Sequence, residues 1–323
     1  MEKNVRLRIL LVMELFFEKT DENHGVSMQN ILSWLESNNL SGERKSVYED
    51  IHALQQYGLD IRYFADDKTY RLAGRSMELA ELKLLVDAIH ASKFITKEKA
   101  DEMIHHVEDM ASQYQRSSLH REVYAEKPKS VSKAGFANMD ILHEAITKNR
   151  QVTFQYLVWN TDKTLQEKHN GKTYCVSPWL MVWADENYYL AAYDGEEQKM
   201  KHFRVDKISN VVLQEMLREG EEEFHKIDTA NYSTSHFGMY GGEAKRVSVR
   251  FANHLAGVVL DRFGTEIQIL KEDEEHFKAA LPVVVSNQFF GWIFGLGNQV
   301  QILTEDVAKQ YKQYLEETLS LYR

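Results

Sequence analysis

Residues 199–207 form the densest run of cations in the middle of the chain: Lys199, Lys201, Arg204 and Lys207, with His202 among them and Asp206 as the one acid. Strand alternation places His202 and Arg204 on one face and Lys201 and Phe203 on the other, so Phe203 is expected to point into a core. Brought near Tyr156 and Tyr189, such a cationic face suits a phosphate-bearing or nucleic-acid ligand, because rings stack on bases while a guanidinium clamps phosphate. The same charges also suit a solvated strand edge guarded against pairing. The residues alone leave both readings open.

A second constellation is Ser41, Arg44, Lys45, Ser46, Tyr48, Glu49 and His52. On a helix that turns Val47, Ile51 and Leu54 inward, Arg44, Lys45, Ser46, Tyr48, Glu49 and His52 face outward, able to touch phosphates and base edges from a major groove. A solvated third helix of any small helical unit also carries charges.

Catalytic constellations are missing. Asp and Glu are abundant, yet none sits in a motif that assigns acid and base roles. Ser177 has no G-x-S-x-G elbow, and His143-Glu144 is followed by Thr147 where a zinc protease needs its second His. His105 and His106 are adjacent, so a helix sends them to different faces. The glycines at 291, 295 and 297 lack the spacing of a phosphate-cradling loop. The single cysteine, Cys175, can close neither an internal disulfide nor a zinc site and reads as a small apolar strand residue. No enzyme activity, cofactor or metal is expected.

The elements that must position these residues follow from periodicity. Ile9, Val12, Met13, Phe16 and Phe17 predict a helix from Arg6 to about Phe17; Ser27 caps a second with Met28, Ile31, Leu32 and Leu35 inward. Ser41 is expected to cap the third, which Gly58 stops after Tyr57. The β-prone stretches 61–64 and 69–72 flank an Asp-bearing turn and predict a hairpin. Leu79 to Ile89 and then Thr96 to about Tyr114 predict two helices, suited either to pairing two DNA-binding units or to packing within one chain. A linker is expected over 117–137.

Beyond it, a helix ending at Asn149 and five short strands over residues 138–215 suggest a small barrel. Residues 216–323 alternate strands and helices in an α+β pattern, with a last helix from Glu305.

Composition bounds the answer. A chain of 323 residues with 43% hydrophobic and 27% charged residues holds two or three globular domains. No apolar run spans a bilayer and the N-terminus reads as a helix rather than a cleaved leader, so a cytoplasmic protein without membrane contact is expected. The net charge of −10 is unhelpful to nucleic-acid binding, and residues 1–75 hold ten Lys/Arg against twelve Asp/Glu, so any basic footprint there must be a narrow patch.

The stretch SMQNILSWLESNNLSGERKSVYEDIHALQQYGLDI resembles the winged helix-turn-helix of DeoR-type and WYL-domain regulators. Ser41, Arg44, Asp50, Ile51, Leu54 and Gly58 match that recognition-helix pattern, whereas Glu49 stands where a basic residue is common. Residues 138–215 resemble the WYL domain, an SH3-like barrel. Its tripeptide stands here as Tyr188-Tyr189-Leu190. Its opening is carried by Ile141, Ala145, Ile146, Arg150, Val152, Phe154 and Tyr156, its Pro-containing strand by Val176 to Leu180, and its Phe-Arg element by Phe203 to Ile208, with Lys207 in place of Arg.

The resemblance implies a multidomain α+β chain: a winged helix-turn-helix over 1–75, a helical connector and linker over 76–137, a central SH3-like β-barrel over 138–215 and a C-terminal α+β extension over 216–323. It implies a homodimeric transcription regulator on a double-stranded DNA operator. Ser41, Arg44, Lys45, Ser46, Tyr48 and His52 would meet DNA, and Tyr156, Tyr189, Lys201, His202, Arg204 and Lys207 a nucleotide or nucleic-acid effector. The acidic head and Glu49 leave a second expectation, a sensor or interaction protein whose winged helix contacts protein.

Overall fold

Three apolar stripes that need one another open the chain. α1 (Val5–Lys19) presents Val12, Leu15 and Phe16 to a core shared with Ile31 and Leu35 of α2 (Met28–Ser37) and Val47, Ile51 and Leu54 of α3 (Arg44–Tyr57). The computed structural model describes residues 4–119, 129, 135–227, 232–239, 242 and 244–322. It divides into two compact units, Met1–Val131 and Ser132–Arg323.

α2 begins as expected, with Ser27 Oγ accepting from the Asn30 amide and the Asn30 side chain accepting from the Ser27 amide at 3.0 Å. The expected cap at Ser41 is corrected: Glu43 is the cap residue of α3, and its side chain makes no capping bond. The chain passes Gly42 hard against α2, where an added Cβ would lie 2.8 Å from Leu35 Cδ1, so Ser41 and Gly42 serve the crossing and the helix starts after them. Gly58 ends α3 in the left-handed region at φ 111°.

The antiparallel hairpin of β1 (Asp60–Phe64) and β2 (Thr69–Gly74) follows. Asp67 accepts from the Thr69 amide at 3.2 Å and its hydroxyl at 2.7 Å. Val26, just before α2, exchanges backbone hydrogen bonds with Tyr70 and ties the hairpin to the helices.

α4 (Leu79–Ala91) and α5 (Lys97–Glu108) come next, the latter capped by Thr96 as expected. The helix predicted to run on to Tyr114 breaks at Asp109. Ser112 restarts it as α6 (Gln113–Leu119), its hydroxyl accepting from the Gln115 amide at 3.2 Å. Arg75 joins these helices to the first three: Nη2 donates to the Phe17 and Thr20 carbonyls at 2.5 and 2.6 Å, and Nη1 to the Met110 carbonyl at 3.2 Å. Most of the expected linker (120–128 and 130–134) lies outside the described residues.

The second unit starts with α7 (Gly135–Thr147), which buries Leu142 and Ala145. β3 (Arg150–Trp159), β4 (Leu165–Glu167), β5 (Thr173–Ala184), β6 (Asn187–Asp194) and β7 (Lys199–Arg204) form an antiparallel sheet in the order β4-β3-β5-β6-β7, and β8 (Ile208–Leu217) pairs with β3. Six strands therefore stand where five were predicted. The expected closed barrel is corrected too: among the described residues no ladder joins β7 to β8, and the sheet is open. β7 turns through the short helical Val205–Lys207 into β8, whose ladder bonds go to β3 instead. The α7 residue Asn138 fastens that turn, donating to the carbonyls of Val205 and Ile208 at 3.3 and 2.7 Å.

After α8 (Glu221–His225) and α9 (Tyr232–Ser235), β9 (Ala244–Ala252), α10 (Ala256–Phe263), β10 (Ile269–Lys271), β11 (His276–Val284), α11 (Asn287–Gly295), β12 (Val300–Ile302) and α12 (Glu305–Ser320) build the expected α+β pattern. Its sheet runs β10-β11-β9-β12. Alternate residues Val247, Val249 and Phe251 pack against Phe277 and Leu281 and against the α11 residues Phe289, Phe290 and Ile293. No described helix is long and apolar enough to cross a membrane.

Candidate functional site

The pleat of β7 divides the residues expected to act together. Phe203 points into the sheet's aromatic core, 5.0 Å from the Phe154 ring and 5.4 Å from those of Tyr156 and Tyr174. Lys201 shares that face. Its ammonium is held at 2.6 Å by Asp194 and at 2.6 Å by Glu197. Burial works against that charge, but the two carboxylates outweigh it and hold its pKa above the usual value. The Tyr156 hydroxyl accepts from the Arg204 amide at 3.1 Å, and burial pushes its pKa up. Tyr156 thus packs within the sheet's aromatic core, and Lys201 is half-buried with its charge already matched by two carboxylates.

On the opposite face Tyr189 stands across from Arg204 and Ala191 across from His202. The segment around α9 covers this side: Tyr232 and Met239 join Val182 and Ala191 in one apolar cluster. His202 is sequestered beneath it, Nε2 lying 2.5 Å from the Tyr232 hydroxyl and the ring 5.2 Å from His236. Its Nδ1 is buried without a partner among the described residues. Burial and then the His236 charge push its pKa down to about 4, so at neutral pH it is an uncharged member of a packed trio.

Arg204 retains a partly open position. Its Nε and Nη2 fork onto Asp206 at 3.0 and 2.8 Å, and Nη2 also reaches the Asn187 side-chain oxygen at 2.8 Å. Asp206 and Asn187 are buried, so the fork satisfies two groups that water cannot reach. Lys207 lies 4.6 Å above the ring of Trp159, which is half-exposed. The outward-facing chemistry of this end of the sheet is therefore Arg204, Lys207 and the unpredicted Trp159.

In the first unit, α3 exposes Arg44, Lys45, Tyr48, Glu49 and His52 and half-buries Ser46; Ser41, also half-buried, precedes the helix. Asp50 turns inward. The Tyr48 ring stands 6.5 Å from Tyr70, itself 5.0 Å from Tyr63, so an aromatic run missed by sequence reading extends the face from α3 onto the hairpin. Strand alternation held the signal for Tyr63, and the helix-to-hairpin packing that brings the three together did not show in it.

Also unforeseen is an open cavity of about 530 Å³ lined by Asp185, His236, Val258, Asp261, Arg262 and Trp292. Asp185 and Glu186 read in sequence only as turn punctuation, and both do take positive φ, 47° and 62°. Nothing in their spacing announces Arg262, far along the chain. Among the described residues no cluster of His, Cys, Asp or Glu is arranged to hold a metal ion.

This geometry meets an independent comparison. Residues 137–213 match the WYL domain family. The match covers the helix α7, the strands β3 to β7 and the start of β8, and it supports a WYL-type transcription regulator. No curated protein matches the chain. Among solved structures, proteasome accessory factor B/C (PafBC) of Arthrobacter aurescens aligns over 99% of this chain and 49% of its own, with 13% identity and a TM-score of 0.28. The chain thus spans about half the length of that protein, and at so low a score no shared overall arrangement follows. The regulator reading rests on the WYL domain.

Proposed function

We propose that the chain is a ligand-responsive, DNA-binding transcription regulator of WYL type that works by binding rather than catalysis. In this reading residues 1–75 act as a winged helix-turn-helix, with α3 as recognition helix and the β1–β2 hairpin as wing. One observation carries it: α3 buries Val47, Ile51 and Leu54 while exposing Arg44, Lys45, Tyr48 and His52. That is the division a helix needs to sit on its own core and enter a major groove at once. Two heads in a homodimer would read half-sites about 34 Å apart, in the cytoplasm. The effector is a nucleotide or nucleic acid, supported by Arg204, Lys207 and the exposed Trp159 at one end of the WYL sheet, which combine cations with a stacking ring.

Glu49, exposed on the same helix face, favours a second reading in which the head docks on protein. A salt-titrated binding measurement on the DNA upstream of the chain's own gene separates the two. A DNA reader forms a specific complex that weakens steeply with salt and is lost in Arg44→Ala. Unchanged affinity in that variant removes α3 as the reader, and no specific complex at any salt leaves the protein-docking reading.

A further inference from the structure

The guanidinium of Arg262, in the last turn of α10, packs 3.6 Å over the Phe237 ring yet has no hydrogen bond or ion pair among the described residues. Its Nε is buried without an acceptor there. Burial lowers its pKa and the Asp185 charge opposes that shift, but Asp185 stays beyond ion-pair distance. An unpaired, half-buried guanidinium is costly unless something supplies the missing acceptor. What it faces is an open cleft of about 530 Å³, with Asp185, Val258 and Asp261 exposed at its edge, large enough for a small organic molecule.

The rest of the lining defines that molecule. The Asp185 and Asp261 carboxylates border the same space, and neither forms an ion pair among the described residues. His236 Nδ1 lies 2.7 Å from the Tyr232 carbonyl, a bond only its protonated nitrogen can make, which leaves Nε2 as an acceptor. Burial lowers the His236 pKa, so the ring is neutral at pH 7. With one cation, two carboxylates and a neutral imidazole, the lining is net negative. A doubly charged phosphate monoester would deepen that imbalance, whereas a ligand with one carboxylate and at least one ammonium relieves it. Trp292 and Val258 supply an apolar wall for a side chain.

We propose that this cavity binds a free α-amino acid, neutral or singly positive overall, with its carboxylate in the Arg262 fork and its ammonium toward Asp185, Asp261 and His236. The site borders the Arg204 end of the sheet, since the Asn187 amide that meets Arg204 also donates to the Asp185 carbonyl at 2.7 Å; its ligand differs in class from the nucleotide effector, so the assignment stands or falls without DNA binding.

The test is calorimetric titration of the full chain with the standard amino acids one at a time, up to about 10 mM. At least one is expected to bind, while its amide and its N-acetyl derivative do not. Arg262→Lys, which keeps the charge but not the fork, and Asp185→Asn, which keeps the shape but not the charge, should each weaken binding about tenfold or more. Both variants should keep the unliganded melting temperature, which separates lost contacts from lost fold. No binding by any amino acid overturns the proposal. So does binding indifferent to both substitutions, or tighter Arg262-dependent binding of inorganic phosphate or AMP.

Discussion

Arg8 lays its guanidinium along the Asp50 carboxylate, Nε to Oδ2 at 2.5 Å and Nη2 to Oδ1 at 3.1 Å, and so pins α1 to the inner side of α3. Asp50 is buried and Arg8 nearly so. The aspartate that helped mark the helix-turn-helix resemblance is therefore an architectural residue rather than one that meets DNA. Asp50→Ala strands the guanidinium and should cost about 3 kcal/mol, read as a lowered denaturation midpoint. Replacing both partners, as Arg8→Met with Asp50→Leu, should recover most of it, and a double variant as unstable as the single one would refute the pairing.

Glu49 sets the second prediction. As an exposed anion beside Lys45 and His52, it repels any backbone phosphate brought to α3. Glu49→Lys should tighten binding to DNA of any sequence and steepen the salt dependence by about one unit of slope. A slope unchanged by this substitution would mean that α3 does not lie against the duplex.

His202 gives the molecule a pH dependence whose sign is fixed by its neutral state. The unfolded chain takes up its proton near 6.5, and the folded protein withholds it until about 4. Between those values the unfolded state holds more protons, so stability is full above 6.5 and declines as the pH falls toward 4, by up to about 1.4 kcal/mol for each step of one in pH. His236, lowered in the same direction, adds to the loss. Urea midpoints measured at pH 7 and pH 5 should differ in the native chain, and the gap should narrow in His202→Phe to the part that His236 carries.

Arg204 cannot be tested by simple truncation. Arg204→Ala leaves the buried carboxylate of Asp206 and the buried amide of Asn187 without their partner, a loss of about 3 kcal/mol that would mimic a lost effector response. Lys207→Ala and Trp159→Ala strand no buried polar partner and should cost less, about 1 kcal/mol for the lysine and about 2 kcal/mol for the half-buried ring. In fluorescence titrations with single-stranded oligonucleotide or AMP these two should weaken binding. Native affinity in both would move the nucleotide site elsewhere.

Gly220 offers a purely steric check. Its φ of 80° already disfavours any side chain, and an added Cβ would lie 2.1 Å from the Tyr193 ring. Gly220→Ala should lower stability by more than about 2 kcal/mol. Gly257→Ala, in α10 with open space around it, should raise stability by about 0.5 kcal/mol in the same thermal melts.

The sequence spoke most clearly where a period was long enough to repeat. Val47, Ile51 and Leu54 announced the inner face of α3, and alternation in β7 correctly turned Phe203 inward. Ser41 misled because a good capping residue next to glycine looks the same whether it opens a helix or only approaches one. Alternation also put His202 and Arg204 together, but it could not say what lies over them: the cover is Tyr232 and His236, from a short stretch with no period of its own. Barrel closure was illegible for a related reason, since it depends on which edge the last strand pairs with. Arg262 and Asp185 share a cavity only because two separate elements pack there.

Among the described residues, Arg75 ties the end of α1 to the turn before α6. One guanidinium satisfies carbonyls at the end of α1 and in the turn before α6, so that turn cannot shift without dragging α1 along. α1 in turn grips α3 through Arg8 and Asp50. Two guanidinium contacts in series therefore connect the turn before α6 to α3 by way of α1.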